Sequence, residues 1–167
     1  TGSNYGSFLE RGAAASTLAP LYRLGASWQA ARGDMTWAAS IYSLESIDAW
    51  QTKGRAAGGR VTWAPGATAG DVQHFGLSLA HERYDNPGSD GAAALRIRPR
   101  AAGHLSDNSR FTMADFSAGR DTDVNKWSLE YARVMGPVSW QGEFSGGRFD
   151  DGAERAEVLA GYGFVSW

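Results

Sequence analysis

Residues 127–144 read WSLEYARVMGPVSWQGEF, and this stretch decides the fold class of the chain. Apolar and polar side chains alternate on both sides of Met135-Gly136-Pro137, as they do on two strands that each have one apolar and one polar face. The apolar face consists of Trp127, Leu129, Tyr131, Val138, Trp140, Gly142 and Phe144. The short Gly-Pro sequence between the two halves is typical of a tight turn. The stretch therefore predicts an antiparallel β-hairpin.

The same alternation recurs along most of the chain. We predict further strands at residues 24–30, 37–41, 55–63, 72–84, 95–104, 110–120 and 156–167. Arg32-Gly33-Asp34 predicts another tight hairpin, residues 148–154 an acidic loop, and residues 1–21 an irregular segment. With about nine strands and no convincing helix, the sequence predicts an all-β, antiparallel protein that forms a single domain.

Two architectures fit this alternation. A soluble sandwich or barrel that binds a small ligand would bury Trp28, Trp37, Phe75 and Trp140 in a dry core. A transmembrane β-barrel would turn the same side chains outward into lipid and line its lumen with polar groups. No apolar run approaches the ~18 residues that a spanning helix needs, but barrel strands are only half apolar. Turns of unequal length, aromatic residues near strand ends and a strongly polar opposite face favour the membrane barrel.

Composition excludes several kinds of site. The net charge is −2, so nothing global attracts nucleic acid, and the absence of cysteine excludes disulfides and thiolate metal sites. His74 and His81 differ in strand parity and should face opposite sides, which makes a shared metal ion improbable. Asp121, Asp123 and Asn125 resemble the start of a calcium loop, but the required Gly and closing Glu are missing. We predict no metal and no cofactor.

A hydrolase of the kind found among small outer-membrane barrels is a further alternative. His74, Ser78 and Glu82 share one predicted strand face. However, His74 and Ser78 would lie ~13 Å apart along one strand, too far for the hydrogen bond that a nucleophile and its base require. A polar row on the strand accounts for these residues better than an acyl hydrolase does.

The segment Leu95-Arg96-Ile97-Arg98-Pro99-Arg100 has the strongest local charge. On an extended strand its three arginines would point the same way at intervals of ~6.6 Å, because alternate side chains share a face. Such a row persists where an anion or a wet wall lies opposite, although a solvated basic strand would have the same pattern. Pro99 removes one ladder donor, which predicts an edge, a bulge or a strand end.

Several stretches, in order along the chain, resemble one known family. They are LER (9–11), RVTWAP (60–65), VQHFGL (72–77), RIRPR (96–100), WSLE (127–130) and SWQGEF (139–144). Together they are similar to the trimeric phosphate-selective porins, including polyphosphate porins, of Gram-negative outer membranes. Each match is weak alone, but their common order over nearly the whole chain is specific.

This resemblance implies a fold and a function. A porin subunit of this family has about 16 strands, so residues 1–167 would be the central portion of a transmembrane barrel. Residues 1–21 would be the tail of the constriction loop that folds into the lumen. The first residue is Thr1, so we expect either that a leader was removed or that the chain is a piece of a longer protein. The implied protein is a homotrimer in outer-membrane lipid that lets phosphate, pyrophosphate or polyphosphate anions diffuse passively and is not an enzyme.

The resemblance also implies anion-binding residues. By matching motif positions these are Arg96, Arg98 and Arg100 as rungs of an arginine ladder, Arg110, Arg11, His104 in place of a further arginine, and Ser3 beside Gly2 near the anion site. His104 would make one rung sensitive to pH. Glu130 and Glu143 should also face the lumen, where they would repel anions unless nearby arginines pair with them. The sequence does not identify such partners.

Overall fold

A computed structural model describes Leu18 and residues 23–44, 53–85, 95–97, 112–116 and 119–167. The strands in these residues are β1 (Gly25–Arg32), β2 (Met35–Ser43), β3 (Lys53–Trp63), β4 (Asp71–Asp85), β5 (Arg96–Ile97), β6 (Ala114–Asp115), β7 (Thr122–Met135), β8 (Val138–Asp150) and β9 (Arg155–Ser166). The predicted all-β, antiparallel class is confirmed. Within the same residues, none of the helical structure is long and apolar enough to cross a membrane.

Seven strands form one antiparallel sheet in the order β1-β2-β3-β4-β7-β8-β9. Strand β4 pairs directly with β7, from Asp71 opposite Met135 to Tyr84 opposite Thr122. The described strands do not close into a barrel, because β1 and β9 lie at opposite edges. The sheet therefore has the form of a section of barrel wall.

The described part of the arginine segment, residues 95–97, does not continue this wall. Its strand β5 has only two residues and pairs with β6 in a separate ribbon, with Arg96 opposite Asp115 and Ile97 opposite Ala114. Long strands were predicted at residues 95–104 and 110–120. In the described residues this is confirmed only for two strands of two residues each, β5 and β6. The reason is that β4 and β7 pair with each other along almost their whole lengths, with apolar residues opposite apolar residues. This pairing leaves no place for another strand between them.

Alternation divides the sheet into an apolar face and a polar face. The apolar face includes Trp28, Trp63, Leu79, Leu129, Trp140 and Val165. Its side chains are exposed rather than packed into a core: Trp28 is 61% exposed, Leu129 50% and Trp140 45%. The dry core that the soluble alternative predicted is therefore not formed, because these rings project from the sheet.

The two ends of the sheet differ in their connections. Residues 33–34, 64–70 and 136–137 join strands at one end, which we call the turn end. Residues 44–52, 86–121 and 151–154 join strands at the other, the loop end. Both predicted tight turns are present, and Gly33 and Gly136 adopt positive φ angles of 57° and 58° that residues with a side chain rarely take. The predicted inequality of the connections is confirmed.

A small apolar cluster lies on the polar face at the loop end. Its members include Ile97 of β5, Phe116 after β6, Val124 of β7 and Phe149 of β8, all at most 4% exposed. The rings of Phe116 and Phe149 have centroids 6.2 Å apart. Backbone hydrogen bonds hold the ribbon together, including one of 2.9 Å from the Met113 amide to the Ile97 carbonyl. The β5–β6 ribbon therefore packs against the polar face of the wall.

Candidate functional site

Most of the predicted anion-binding residues lie outside the described residues. These are Arg98, Arg100, His104, Arg110, Arg11 and Ser3, together with Gly2. The structure gives only the backbone position of Arg96, in the ribbon on the polar face. Its neighbour Ile97 is buried in the apolar cluster, as strand alternation predicted for the apolar side of this segment. The role of the arginine row remains a prediction.

A charged cluster that the sequence did not reveal lies in the middle of the polar face. Arg60 of β3 donates a hydrogen bond to Glu130 Oε1 of β7, and His74 Nε2 of β4 lies 2.7 Å from the same oxygen. Arg60 and Glu130 are two strands apart, so the Glu130 side chain must cross β4. It crosses at Gly76, directly opposite Glu130, where a Cβ atom would come within about 2.5 Å of Glu130 Cγ. Gly76 thus leaves the space that brings the three side chains together.

The second glutamate on the polar face has different partners. Glu143 Oε1 accepts hydrogen bonds of 2.9 Å from the hydroxyls of both Ser128 and Ser145. The Ser145 hydroxyl also lies 3.0 Å from that of Ser128. The sequence left open whether arginines pair with Glu130 and Glu143. Among the described residues, Glu130 has an arginine partner, and hydroxyl groups bind Glu143.

A third polar group is buried at the loop end of the same face. Glu82 is fully buried and accepts hydrogen bonds from the hydroxyls of Tyr42, at 3.0 Å, and Tyr84, at 2.8 Å. Lys126 Nζ lies 2.7 Å from Glu82 Oε2 and donates a second hydrogen bond of 2.8 Å to the carbonyl of Leu18. This network ties β2, β4 and β7 to a residue that precedes β1.

The proposed catalytic row does not form a triad. His74, Ser78 and Glu82 share the polar face, as predicted, but His74 contacts Glu130, and Glu82 contacts Lys126 and two tyrosines. Within the described ranges, no group of three or more histidine, aspartate or glutamate side chains could hold a metal ion. These three residues therefore contribute charged and hydroxyl groups along the polar face, each with its own partners where the structure gives them.

Charged groups on the apolar face lie at its two ends. At the loop end Arg83 is 2.9 Å from Asp121, and His81 Nδ1 is 3.0 Å from Asn125 Oδ1. At the turn end Arg133 is 2.8 Å from Asp71. His81 and His74 lie on opposite faces, as the sequence predicted, because His81 is opposite Asn125 and His74 opposite Ala132. An apolar band between two polar rims is what a membrane imposes on the outside of a barrel.

The connection between β8 and β9 is a compact turn built around an aspartate. Asp151 Oδ1 accepts backbone hydrogen bonds from Glu154, at 2.7 Å, and Ala153, at 2.9 Å. These bonds, the one from Glu154 first, lower the pKa of Asp151 below its usual value, because they favour the charged carboxylate. Arg120 adds a weaker attraction from 3.5 Å. The predicted loop from Arg148 is shorter than expected, since β8 extends to Asp150.

An antiparallel wall with an exposed apolar band on one face and a polar, charged opposite face defines a section of a porin-type β-barrel. The chain belongs to the family described as phosphate-selective porin O and P, whose profile matches residues 1–167. It is 33% identical over 118 residues to Porin O of Pseudomonas aeruginosa. That alignment covers 62% of this chain and 26% of Porin O. No solved structure matches the chain significantly.

Proposed function

We propose that this chain forms part of the wall of an outer-membrane channel through which phosphate-like anions diffuse passively, without chemical conversion. The polar face would line the water-filled lumen, and the apolar face would contact lipid or a neighbouring subunit of a homotrimer. The family membership and the similarity to Porin O support a phosphate-like substrate and a location in the Gram-negative outer membrane. Further strands must complete the barrel, because both edges of the described sheet are open.

The observation that carries this proposal is the inward packing of the β5–β6 ribbon. Ile97 and Phe116 are buried on the polar face, so part of the connection between β4 and β7 lies over that face. Arg96 belongs to this ribbon, and Arg98 and Arg100 follow it directly in sequence. Arginines carried inward from the wall would narrow a wide lumen and bring positive charge into the path of an anion.

The chemistry of arginine suits this task. A guanidinium group stays charged at every physiological pH and binds oxyanions through paired, charge-assisted hydrogen bonds. Such bonds replace the water that an anion sheds when it enters a narrow passage. Conduction also requires that each site bind weakly enough to release the ion, which a series of similar sites allows. We infer that Arg96, Arg98, Arg100 and Arg110 act as this series, with His104, Arg11 and Ser3 as further contacts.

The contacts of Leu18 support an inward course for residues 1–21. Leu18 is buried against the polar face. Its carbonyl accepts a hydrogen bond from Lys126. Its side chain lies so close to Gly147 that a Cβ atom at that position would be only 2.9 Å from Leu18 Cδ2. A segment held on this face would narrow the same lumen from a second direction. We therefore retain residues 1–21 as part of the proposed constriction.

Single-channel recording tests the proposal. The double substitution Arg96→Ala and Arg98→Ala, made in the closed barrel, should lower chloride conductance and weaken block by added phosphate, pyrophosphate or polyphosphate. The folded state should persist, because Arg96 belongs to the β5–β6 ribbon and not to the seven-stranded sheet. Arg32→Ala is the matched control, because Arg32 lies on the apolar face opposite Met35 and should leave the block unchanged. Unchanged phosphate block in the double variant would contradict the proposed ladder.

A further inference from the structure

We propose that His74 determines how strongly the channel prefers anions, because its protonation turns the Arg60–Glu130 cluster into a binding site for tetrahedral oxyanions. This inference rests on the proposed function, in which the polar face lines the lumen. It concerns residues of the wall, none of which belongs to the predicted arginine ladder. The ligand class is a phosphate-like anion, which accepts hydrogen bonds from guanidinium and imidazolium groups alike.

The geometry makes Arg60 and His74 share one carboxylate. Both contact Glu130 Oε1, Arg60 as a donor and His74 through Nε2 at 2.7 Å. The Arg60 side chain is 47% exposed and the His74 side chain 30% exposed, so an ion in the lumen can reach both. A guanidinium has five N–H donors, and its contact with Glu130 leaves others facing solvent. The cluster therefore has N–H donors that can bind an anion once protonation of His74 makes the net charge of the cluster positive.

The charges of the wall make His74 decisive. The ionisable groups on the polar face of the seven described strands, with Arg23 just before β1, are Arg23, Arg60 and Lys126 against Glu82, Glu130 and Glu143. These three cations and three carboxylates sum to zero while His74 is neutral. A protonated His74 gives this face a net charge of +1 and competes with Arg60 for Glu130, which frees the guanidinium. Both effects favour an anion.

The groups around His74 on the neighbouring strands are few. Arg60 faces it from β3 and Glu130 from β7, while uncharged Ala132 lies directly opposite. Glu143 follows on β8 opposite Glu130, and two serine hydroxyls already bind its carboxylate. On the polar face of the described strands, the next carboxylate on the β7 and β8 side of His74 is thus one strand beyond Glu130.

Reversal potentials across planar lipid bilayers provide the test. Imidazole is the side chain whose charge ordinarily changes between pH 5 and 8. A unit charge about 6 Å from a passing ion changes its Boltzmann weight about threefold at the dielectric constant of water. The same charge attracts chloride and repels potassium, so the chloride-to-potassium permeability ratio should rise about tenfold from pH 8 to pH 5.5 in a gradient of dilute potassium chloride, where screening is weak. His74→Gln should remove this rise.

Two variants separate His74 from the other histidines. His81→Gln is the matched control, because His81 lies on the apolar face and should leave the pH response unchanged. His104→Gln removes the remaining imidazole, so that any share of the response that belongs to the predicted ladder is measured separately. A rise that is unchanged in His74→Gln, or that disappears equally in His81→Gln, overturns the inference.

Gly76→Ala tests the geometry without changing any charge. The added methyl group would occupy the space through which Glu130 crosses β4, and should therefore weaken the pH response. Gly59→Ala is its control, because the nearest atom to a Cβ there is the Ala38 carbonyl oxygen at an ordinary 3.5 Å. Equal pH responses in Gly76→Ala and Gly59→Ala would contradict the role assigned to the Glu130 position.

Nuclear magnetic resonance of the histidine side chains gives a readout that does not depend on conduction. Inorganic phosphate added at pH 5.5 should shift the His74 ring signals and leave those of His81 unchanged. The protein has three histidines, so single substitutions assign the signals. A shift without anion-selective conduction would support this site and count against the proposed channel. Anion-selective conduction without a shift would overturn the site and leave the channel proposal intact.

Discussion

Lys126 should be among the most sensitive positions of the wall when it is replaced by methionine. Methionine keeps an unbranched chain of similar length but removes the ammonium group that lies 2.7 Å from Glu82. Glu82 is fully buried, and only 12% of the Lys126 side chain is exposed. The substitution therefore leaves a carboxylate that can neither reach water nor pair with a cation.

The expected cost follows from this burial. Removing one partner of a buried ion pair typically destabilises a protein by about 3–5 kcal/mol, because the other charge is left uncompensated. Tyr42 and Tyr84 still donate to Glu82, which favours the lower end of that range. Lys126→Met should thus lower the free energy of unfolding by about 3 kcal/mol. Urea titration of the protein in lipid vesicles, followed by tryptophan fluorescence, measures this difference.

Two further variants make the measurement decisive. Adding Glu82→Gln to Lys126→Met replaces the stranded charge with an amide that the tyrosines can still contact, and should recover about 2 kcal/mol. Arg133→Met is the control, because its ion pair with Asp71 is partly exposed and should cost less than about 1 kcal/mol. A cost below about 1 kcal/mol for Lys126→Met, or strict additivity in the double variant, would refute this account of the Glu82 network.

Two other predictions concern the outer face and the turn between β8 and β9. Leu129→Arg should cost about 2–4 kcal/mol in lipid vesicles, because Leu129 lies in the middle of the apolar face; a negligible cost in urea titrations would contradict lipid contact. Asp151→Ala should lower the melting temperature at pH 7, because it removes the carboxylate oxygen that accepts hydrogen bonds from the backbone amides of Ala153 and Glu154. Since folding lowers the pKa of Asp151, its stabilisation is present above the usual value of 3.8 and lost as the pH falls further. The melting temperatures of wild type and variant should therefore converge in strong acid, and a constant difference would count against this contribution.

Local alternation was sufficient to predict the strands of the wall. The hairpin around Gly136 and the strand that contains Phe75 lie where the sequence predicted them. Strict alternation of apolar and polar residues indicates a β-strand with one apolar and one polar face. The end of β8 was misjudged, since Arg148 and Asp150 suggested a loop. Both lie on the apolar face at the loop end, in the polar rim where charged residues can end a strand.

Pairing between distant strands was beyond local pattern. Arg60 and Glu130 are separated by 70 positions, and their contact depends on the register of three strands and on the missing side chain of Gly76. Tyr162 and Phe164 were predicted to share a side, but the sequence did not reveal that this is the polar side. Their pairing with Glu143 and Gln141 decides it.

The arginine segment shows a different limit. A charged hexapeptide with alternating side chains predicts an extended conformation, but it does not predict which neighbour the strand will join. The match between β4 and β7 excludes the described residues 95–97 of this segment from the wall, and burial of Ile97 and Phe116 brings the ribbon onto the polar face. The position of the ribbon depends on the pairing of β4 with β7 and on the apolar cluster around Phe116. The sequence of the six residues alone does not contain this information.

The unclosed sheet bears on how a channel of the proposed kind would reach its membrane. Strands β1 and β9 each have one neighbouring strand in the described residues, and their outer backbone groups are available for hydrogen bonding. Copies released into water would join edge to edge and grow into aggregates at a rate that rises steeply with concentration. Chaperones could cover these strand edges until the first and last strands of the proposed complete barrel pair with each other. The yield of folded protein should therefore depend more on such protection than on any gain in the free energy of unfolding.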